Sequence, residues 1–140
     1  MTTRTRLRPA AERASPLQQV VTTALEDMKA VNVRVLDVRG LTDIADTMVI
    51  ASGNSDRHVR SLAERVVEKS RAAGFRLLGT EGERDGEWVL VDLQDLIVHV
   101  MLPRVREFYG LERLWEGGAA EPLAAPALAR TAARRRRSAS

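Results

Sequence analysis

The sequence predicts an α/β domain, a five-stranded mixed sheet flanked by helices, and three features carry that prediction. Two segments, residues 16–31 and 55–73, repeat apolar residues at three- and four-residue steps, the period of a helix with one buried face. Five short runs rich in Val, Ile and Leu are bounded by Gly, Asn and Asp, as strands are. One connection, residues 39–45, is too short for a crossover helix, whereas the one holding the second helix is long enough. The sheet must therefore mix antiparallel and parallel strands.

Ser15 is a good N-cap, Pro16 suits the first helical position, and Gln18 completes a capping box. Leu17, Val20, Val21, Ala24, Leu25, Met28 and Val31 form the core stripe of this helix, and Asn32 marks its exit. Val33–Val38 reads as the first strand and Thr47–Ala51 as its antiparallel neighbour. Ser52-Gly53-Asn54 is a turn, Ser55 caps the second helix, and Val59, Leu62, Ala63, Val66, Val67 and Ala73 are its buried face. Gly74 ends that helix at a left-handed position. Phe75–Thr80 is expected as a strand parallel to Thr47–Ala51, because a helix joins them. Gly82-Glu83-Arg84-Asp85-Gly86 is a hairpin loop between it and Glu87–Leu93, and a tight turn at Gln94-Asp95 leads into Leu96–Leu102. Pro103 opens a short helix that Gly110 ends, and Leu111–Trp115 is expected to pack back by its apolar side.

Charge divides the 140 residues into three parts. Four Arg against Glu12 put residues 1–14 at +3, and Arg130 with Arg134–Arg137 against Glu121 put residues 119–140 at +4. The chain totals +3, so residues 15–118 carry −4. Its pI of about 10.1 points to nucleic acid, but an acidic body favours a basic partner. The expected organisation is a disordered basic arm, 1–14, one domain, 15–116, and a disordered Ala/Arg-rich tail, 117–140, too poor in apolar surface to offset ordering entropy. A body of about 100 residues buries ~65% of its unfolded surface. There is no cysteine, which excludes disulfides, cysteine zinc sites and thiol catalysis. No run of ~18 apolar residues suggests a membrane span, and the Arg-rich start lacks the apolar stretch of a secretory leader.

Few residues suggest chemistry. The loop Ser52–Asp56 joins a strand to a helix start, which suits an anion. It holds one glycine and no lysine, however, and Asp56 sits where a phosphate would, so a turn with an N-cap is the stronger reading. Asp92 and Asp95 are an i, i+3 carboxylate pair across a turn. A two-metal nucleotidyl-transfer site asks instead for carboxylates converging from one strand face. His58 begins a helix and His99 shares a strand face with Ile97 and Met101, with no further His or Cys to complete a metal set. A hydroxyl–imidazole pairing of Ser52 or Ser55 with His99 lacks any nucleophile-elbow pattern. Base stacking would need exposed aromatics interleaved with Lys or Arg on adjacent strands, and Phe75 and Trp88 have no such pattern. Core packing is expected of Phe108 and Trp115, and a partly exposed, partner-anchoring role of Trp88 and Tyr109.

The segments Asp46–Gly53, Arg57-His58-Val59, Glu81-Gly82, Gly86–Asp92, Asp95–Val100 and Arg106–Trp115 together resemble the ribosomal silencing factor, or Iojap-like, family, in order and spacing from about Leu17 to Trp115. The resemblance implies a fold related to nucleotidyltransferases without their catalytic motif, no enzymatic activity and no cofactor or metal. It also implies a cytoplasmic translational repressor of the starvation response. Such a repressor binds the large ribosomal subunit through universal ribosomal protein fourteen and blocks joining of the small subunit. Glu81, Trp88, Asp92, His99, Arg106, Tyr109 and Glu112 are the residues onto which a partner-binding surface carries over. The basic tails are candidates for weak contacts to nearby ribosomal RNA, and a homodimer through the sheet or first helix is compatible with the sequence. The alternative is a nucleotide-binding protein of the nucleotidyltransferase kind, centred on Ser52–Asp56 and Asp92/Asp95.

Overall fold

Ser15 opens the first helix as its position suggests. Its hydroxyl accepts from the Gln18 N–H at 3.1 Å, and Pro16 occupies the first turn. The computed structural model describes residues 15–41, 43 and 45–116. In order these form α1 (Pro16–Asp27), β1 (Val31–Asp37), β2 (Thr47–Ser52), α2 (Asp56–Ala72), β3 (Gly79–Glu81), β4 (Trp88–Asp92), β5 (Leu96–Met101), α3 (Pro103–Tyr109) and α4 (Leu111–Glu116). The expected arm 1–14 and tail 117–140 lie outside the described residues, as do the side chains of Leu114, Trp115 and Glu116.

The sheet order is β1-β2-β5-β4-β3, with β2 and β5 parallel and every other neighbouring pair antiparallel. The mixed, five-stranded α/β architecture is the expected one. Two boundaries differ. α1 ends at Asp27, not at Asn32: Lys29 turns left-handed at φ 61°, and Val31 already pairs with Ser52. A β-branched residue fits a strand better than a fraying helix end. Asn32, left-handed at φ 49°, sits within β1, where the register slips between Val31 and Arg34. The second difference is the strand expected at Phe75–Thr80, which is only Gly79–Glu81. Pairing begins with the Leu78 N–H donated to the Asp92 carbonyl at 2.8 Å. β3 does run in the direction of β2, as the helical crossover dictates. It lies at the far edge, however, because the two hairpins β3–β4 and β4–β5 place β5 and β4 between them.

Alternation along the strands splits the core in two. α1 and α2 cover one face, where Leu17, Val21, Leu25, Val59, Leu62 and Val66 meet Val49, Val89, Val91, Val98 and Val100. Val59, Leu62 and Val66 are each fully buried and stabilise the fold by ~1.5–3 kcal/mol apiece. On the opposite face Met48, Ile50, Leu90, Ile97 and Met101 are covered by Val38 and Ala45 from the β1–β2 connection, Val105 from α3 and Leu111 from α4. Gly110 makes that cover possible. Its φ of 57° is a left-handed C-cap that ends α3 and redirects the chain into α4.

Candidate partner-binding site

The second face gathers most of the residues to which the sequence pointed. Along the antiparallel β4–β5 ladder, Trp88 pairs with Met101, Leu90 with His99 and Asp92 with Ile97, so Trp88, Asp92 and His99 share this side of the sheet. The Trp88 indole N–H donates to His99 Nδ1 at 2.9 Å. An indole nitrogen can only donate, so Nδ1 is the bare nitrogen and the proton sits on Nε2. That Nε2 is buried and meets no hydrogen-bond partner among the described residues. Burial pushes the His99 pKa down to about 3, which keeps the ring neutral.

From His99 the aromatic rings lead outward. The Trp88 ring lies 5.7 Å from His99 and 5.2 Å from Tyr109, and Tyr109 meets Phe108 edge-on at 5.0 Å. Exposure rises along this row: Trp88 is 8% exposed, Tyr109 44% and Phe108 79%. This reverses two expectations. Trp88 is interior, because β4 turns it toward the covered face and its one polar atom is taken by His99. Phe108 is on the surface, because seven-residue α3 buries Val105 and Arg106 instead. Beside the rings runs a cleft of about 580 Å³ between the β3–β4 loop and α3, lined by Gly82, Asp85, Glu87, Trp88, Arg104, Val105, Phe108 and Tyr109.

Arg106 and Glu112 are together, but with each other. The guanidinium forks onto the carboxylate with Nε and Nη2 at 2.9 Å each, and Nη1 donates to the buried Ser52 hydroxyl at 2.9 Å. Arg34 of β1 reaches the same carboxylate at 3.3 Å. The Arg106 hydrogen bonds are the main reason the Glu112 pKa lies below the usual carboxylate value, with the charges of Arg106, Arg34 and Arg113 acting alongside. This network ties α3 and α4 to β1 and β2. Asp92 is fully buried, and its carboxylate accepts the Gln94 N–H at 3.0 Å, which shapes the β4–β5 turn. Asp92 and His99 therefore stand behind any contact surface in this structure. Glu81 is half-buried at the end of the edge strand β3.

The anion-binding geometry read into Ser52–Asp56 is used up internally. Gly53 N–H donates to the Met101 carbonyl, Asn54 N–H to His58 Nδ1, Arg57 N–H to Asp56 and His58 N–H to the Ser55 hydroxyl. His58 Nε2 reaches the Met28 carbonyl at 2.8 Å, so this side chain joins the start of α2 to the end of α1. Periodicity gives no sign of that role.

Comparison with known proteins agrees with the resemblance. Residues 11–140 match the family model described as ribosomal silencing factor during starvation. A Chromobacterium violaceum protein named Ribosomal silencing factor RsfS is 46% identical over 109 residues, spanning 73% of this chain and 89% of the relative. Mitochondrial assembly of ribosomal large subunit protein 1 of Mus musculus is 36% identical over 73 residues, 50% of this chain and 32% of that protein. A crystal structure of a Chromobacterium violaceum protein superposes with a TM-score of 0.71 at 43% identity, covering 79% of this chain and 91% of that one.

Proposed function

The chain belongs to the family of ribosomal silencing factors that act during starvation, and we propose that it works by docking on the large ribosomal subunit through universal ribosomal protein fourteen, where its bulk keeps the small subunit from joining. The proposed setting is the cytoplasm, and the proposed scaffold is a nucleotidyltransferase-related fold put to use as a blocking body. The mechanism needs one stable interface of roughly 1,200–2,000 Å² and no chemistry. The name of the mouse relative, which links that protein to the ribosomal large subunit, supports the choice of subunit.

The observation that carries the docking surface is Phe108, a phenylalanine 79% in solvent and braced edge-on by Tyr109. These two are the large hydrophobic side chains left exposed among the described residues. An exposed aromatic pair on a rigid support is the usual form of an interface anchor. Phe108 and Tyr109 are the proposed direct contacts, and Trp88 forms their floor. Glu81 and the β3–β4 loop form an acidic rim suited to a basic protein patch. His99, Asp92, Arg106 and Glu112 hold this surface from behind.

The test is co-sedimentation of the protein with purified large subunits, followed by addition of small subunits. The protein is expected to travel with the large subunit and to prevent formation of whole ribosomes, and the Phe108→Ala, Tyr109→Ala variant is expected to do neither. Recovery of the unaltered protein in the supernatant would overturn the reading.

A further inference from the structure

The aromatic cleft carries a surplus of negative charge and an unused carboxylate. Asp85, on its rim, has no hydrogen bond or ion pair among the described residues. Glu87 faces Arg104 at 3.5 Å with both side chains largely in water, an arrangement that a second cation can share or displace. Glu81 and Glu83 lie on the same hairpin, with Glu83 taking the Thr80 hydroxyl. Against these four carboxylates stand Arg84 and Arg104, with Arg60, itself paired with Asp56, reaching the Arg84 carbonyl from α2. A guanidinium is the group that satisfies both halves of such a site, because its flat cation lies on an aromatic face while its N–H groups bond a carboxylate.

The chain itself supplies guanidinium groups in a row. Arg134–Arg137 follow Glu116, the last residue of α4, by eighteen residues. At ~3.3–3.6 Å per residue that stretch can span up to about 60 Å. A five-stranded sheet is about 20 Å across at ~4.8 Å per strand, so every point on the face is within reach. Charge is complementary as well: residues 119–140 carry +4 and residues 15–118 carry −4. Attachment on one chain makes the encounter intramolecular, at an effective concentration on the order of millimolar.

We propose that the cleft between the Gly82–Glu87 loop and α3 is a binding site for the chain's own arginine run, Arg134–Arg137, which covers Tyr109 and Phe108 until a ribosomal partner displaces it. The tail is then a built-in competitor whose hold weakens with salt. The site stands on this structure's charges and rings, and only its consequence, competition with the large subunit, rests on the function proposed above.

Two full-length proteins decide it, the parent and the variant Arg134→Gln, Arg135→Gln, Arg136→Gln, Arg137→Gln, compared by nitrogen–proton NMR. At about 50 mM salt the backbone amides of Asp85, Glu87, Phe108 and Tyr109 are expected at different positions in the two spectra, and the differences are expected to close at about 0.5 M, where charges are screened. Coincident cleft amides at low salt overturn the proposal. In binding to isolated large subunits at low salt, the variant is expected to be about three- to tenfold tighter, a factor worth ~0.7–1.4 kcal/mol. Equal affinity overturns the competition. Weaker binding together with coincident amides shows that the arginines serve ribosomal RNA instead. Shifted amides with no subunit binding by either protein sink the docking reading and leave the tail contact standing.

Discussion

Replacing Glu112 by Gln removes one charge from the fork that holds α3 and α4 on the sheet. Arg106 is 8% exposed and donates three bonds, two of them to Glu112 at 2.9 Å. Stripping the partner from a buried ion pair costs ~3–5 kcal/mol. Here the Glu112 side chain is 20% exposed, Gln keeps one acceptor oxygen, and Ser52 still holds the third bond. About 2 kcal/mol of lost stability is the expected result, close to a thirtyfold change in the folding equilibrium. The loss also has a pH signature. The Glu112 pKa is lowered in the folded protein from 4.5, so its contribution is complete above pH ~5 and disappears as pH falls through the lowered folded value. Urea unfolding of parent and Glu112→Gln at a series of pH values reads this directly. The two are expected to differ by ~2 kcal/mol near neutrality and to converge in acid. A cycle with Arg106→Gln is expected to show coupling of ~1–2 kcal/mol, because residues in one network do not contribute independently. A Glu112→Gln protein as stable as the parent, or a gap that does not narrow in acid, would refute the clamp.

Other outcomes follow from single side chains. His99 binds no proton in the fold until pH nears 3, while the unfolded chain takes one up near 6.5. Stability of the parent is therefore expected to fall as pH drops from 6.5, by up to ~1.4 kcal/mol per unit, and His99→Gln is expected to lose this component in an acid titration followed by circular dichroism. Gly82→Ala forces a left-handed φ of 87° on a residue whose Cβ would sit 2.1 Å from the Trp88 carbonyl oxygen. A loss of ~2 kcal/mol or more in denaturant unfolding is expected, and a neutral result would mean the hairpin is looser than its geometry. Phe108→Ala is expected to leave stability within ~0.5 kcal/mol, since the ring is already in solvent, while weakening large-subunit binding by ~2 kcal/mol. Loss of fold and binding in parallel would show that Phe108 is structural.

Much of the architecture was legible because it is local. Ser15 and Ser55 cap the helices they precede, and the stripe Val59, Leu62, Ala63, Val66 is the buried face of α2. The antiparallel pairing of the first two strands followed from a short connection. The errors arose where tertiary context decides. Val31 continues the α1 stripe in sequence, yet it starts β1. Phe75–Thr80 has strand composition, yet Phe75 and Leu77 pack on the core without joining a ladder. Propensity ranks neither outcome, because each depends on which neighbour is already paired.

The candidate site was read less well, for a reason visible in Trp88 and Phe108. Period-two alternation puts Trp88, Leu90 and Asp92 on one side of β4, but nothing in the sequence says which side is covered. In α3, seven residues are too few for periodicity to separate an inward face from an outward one, and Arg106 takes an inward position that a hydrophobicity reading gives to Phe108. Arg106 is buried with its charge met by Glu112, six residues on, across the left-handed break at Gly110. A spacing of six belongs to neither helix nor strand, so the pair is invisible until the chain is folded. The seven residues carried over from the family accordingly divide by depth. Asp92 and His99 are interior, Arg106 and Glu112 are committed to each other, and Trp88 is the floor. Tyr109 and the adjoining Phe108 are left in solvent, so on the proposed docking surface the buried residues act by aiming the rings and the rings by making the contact.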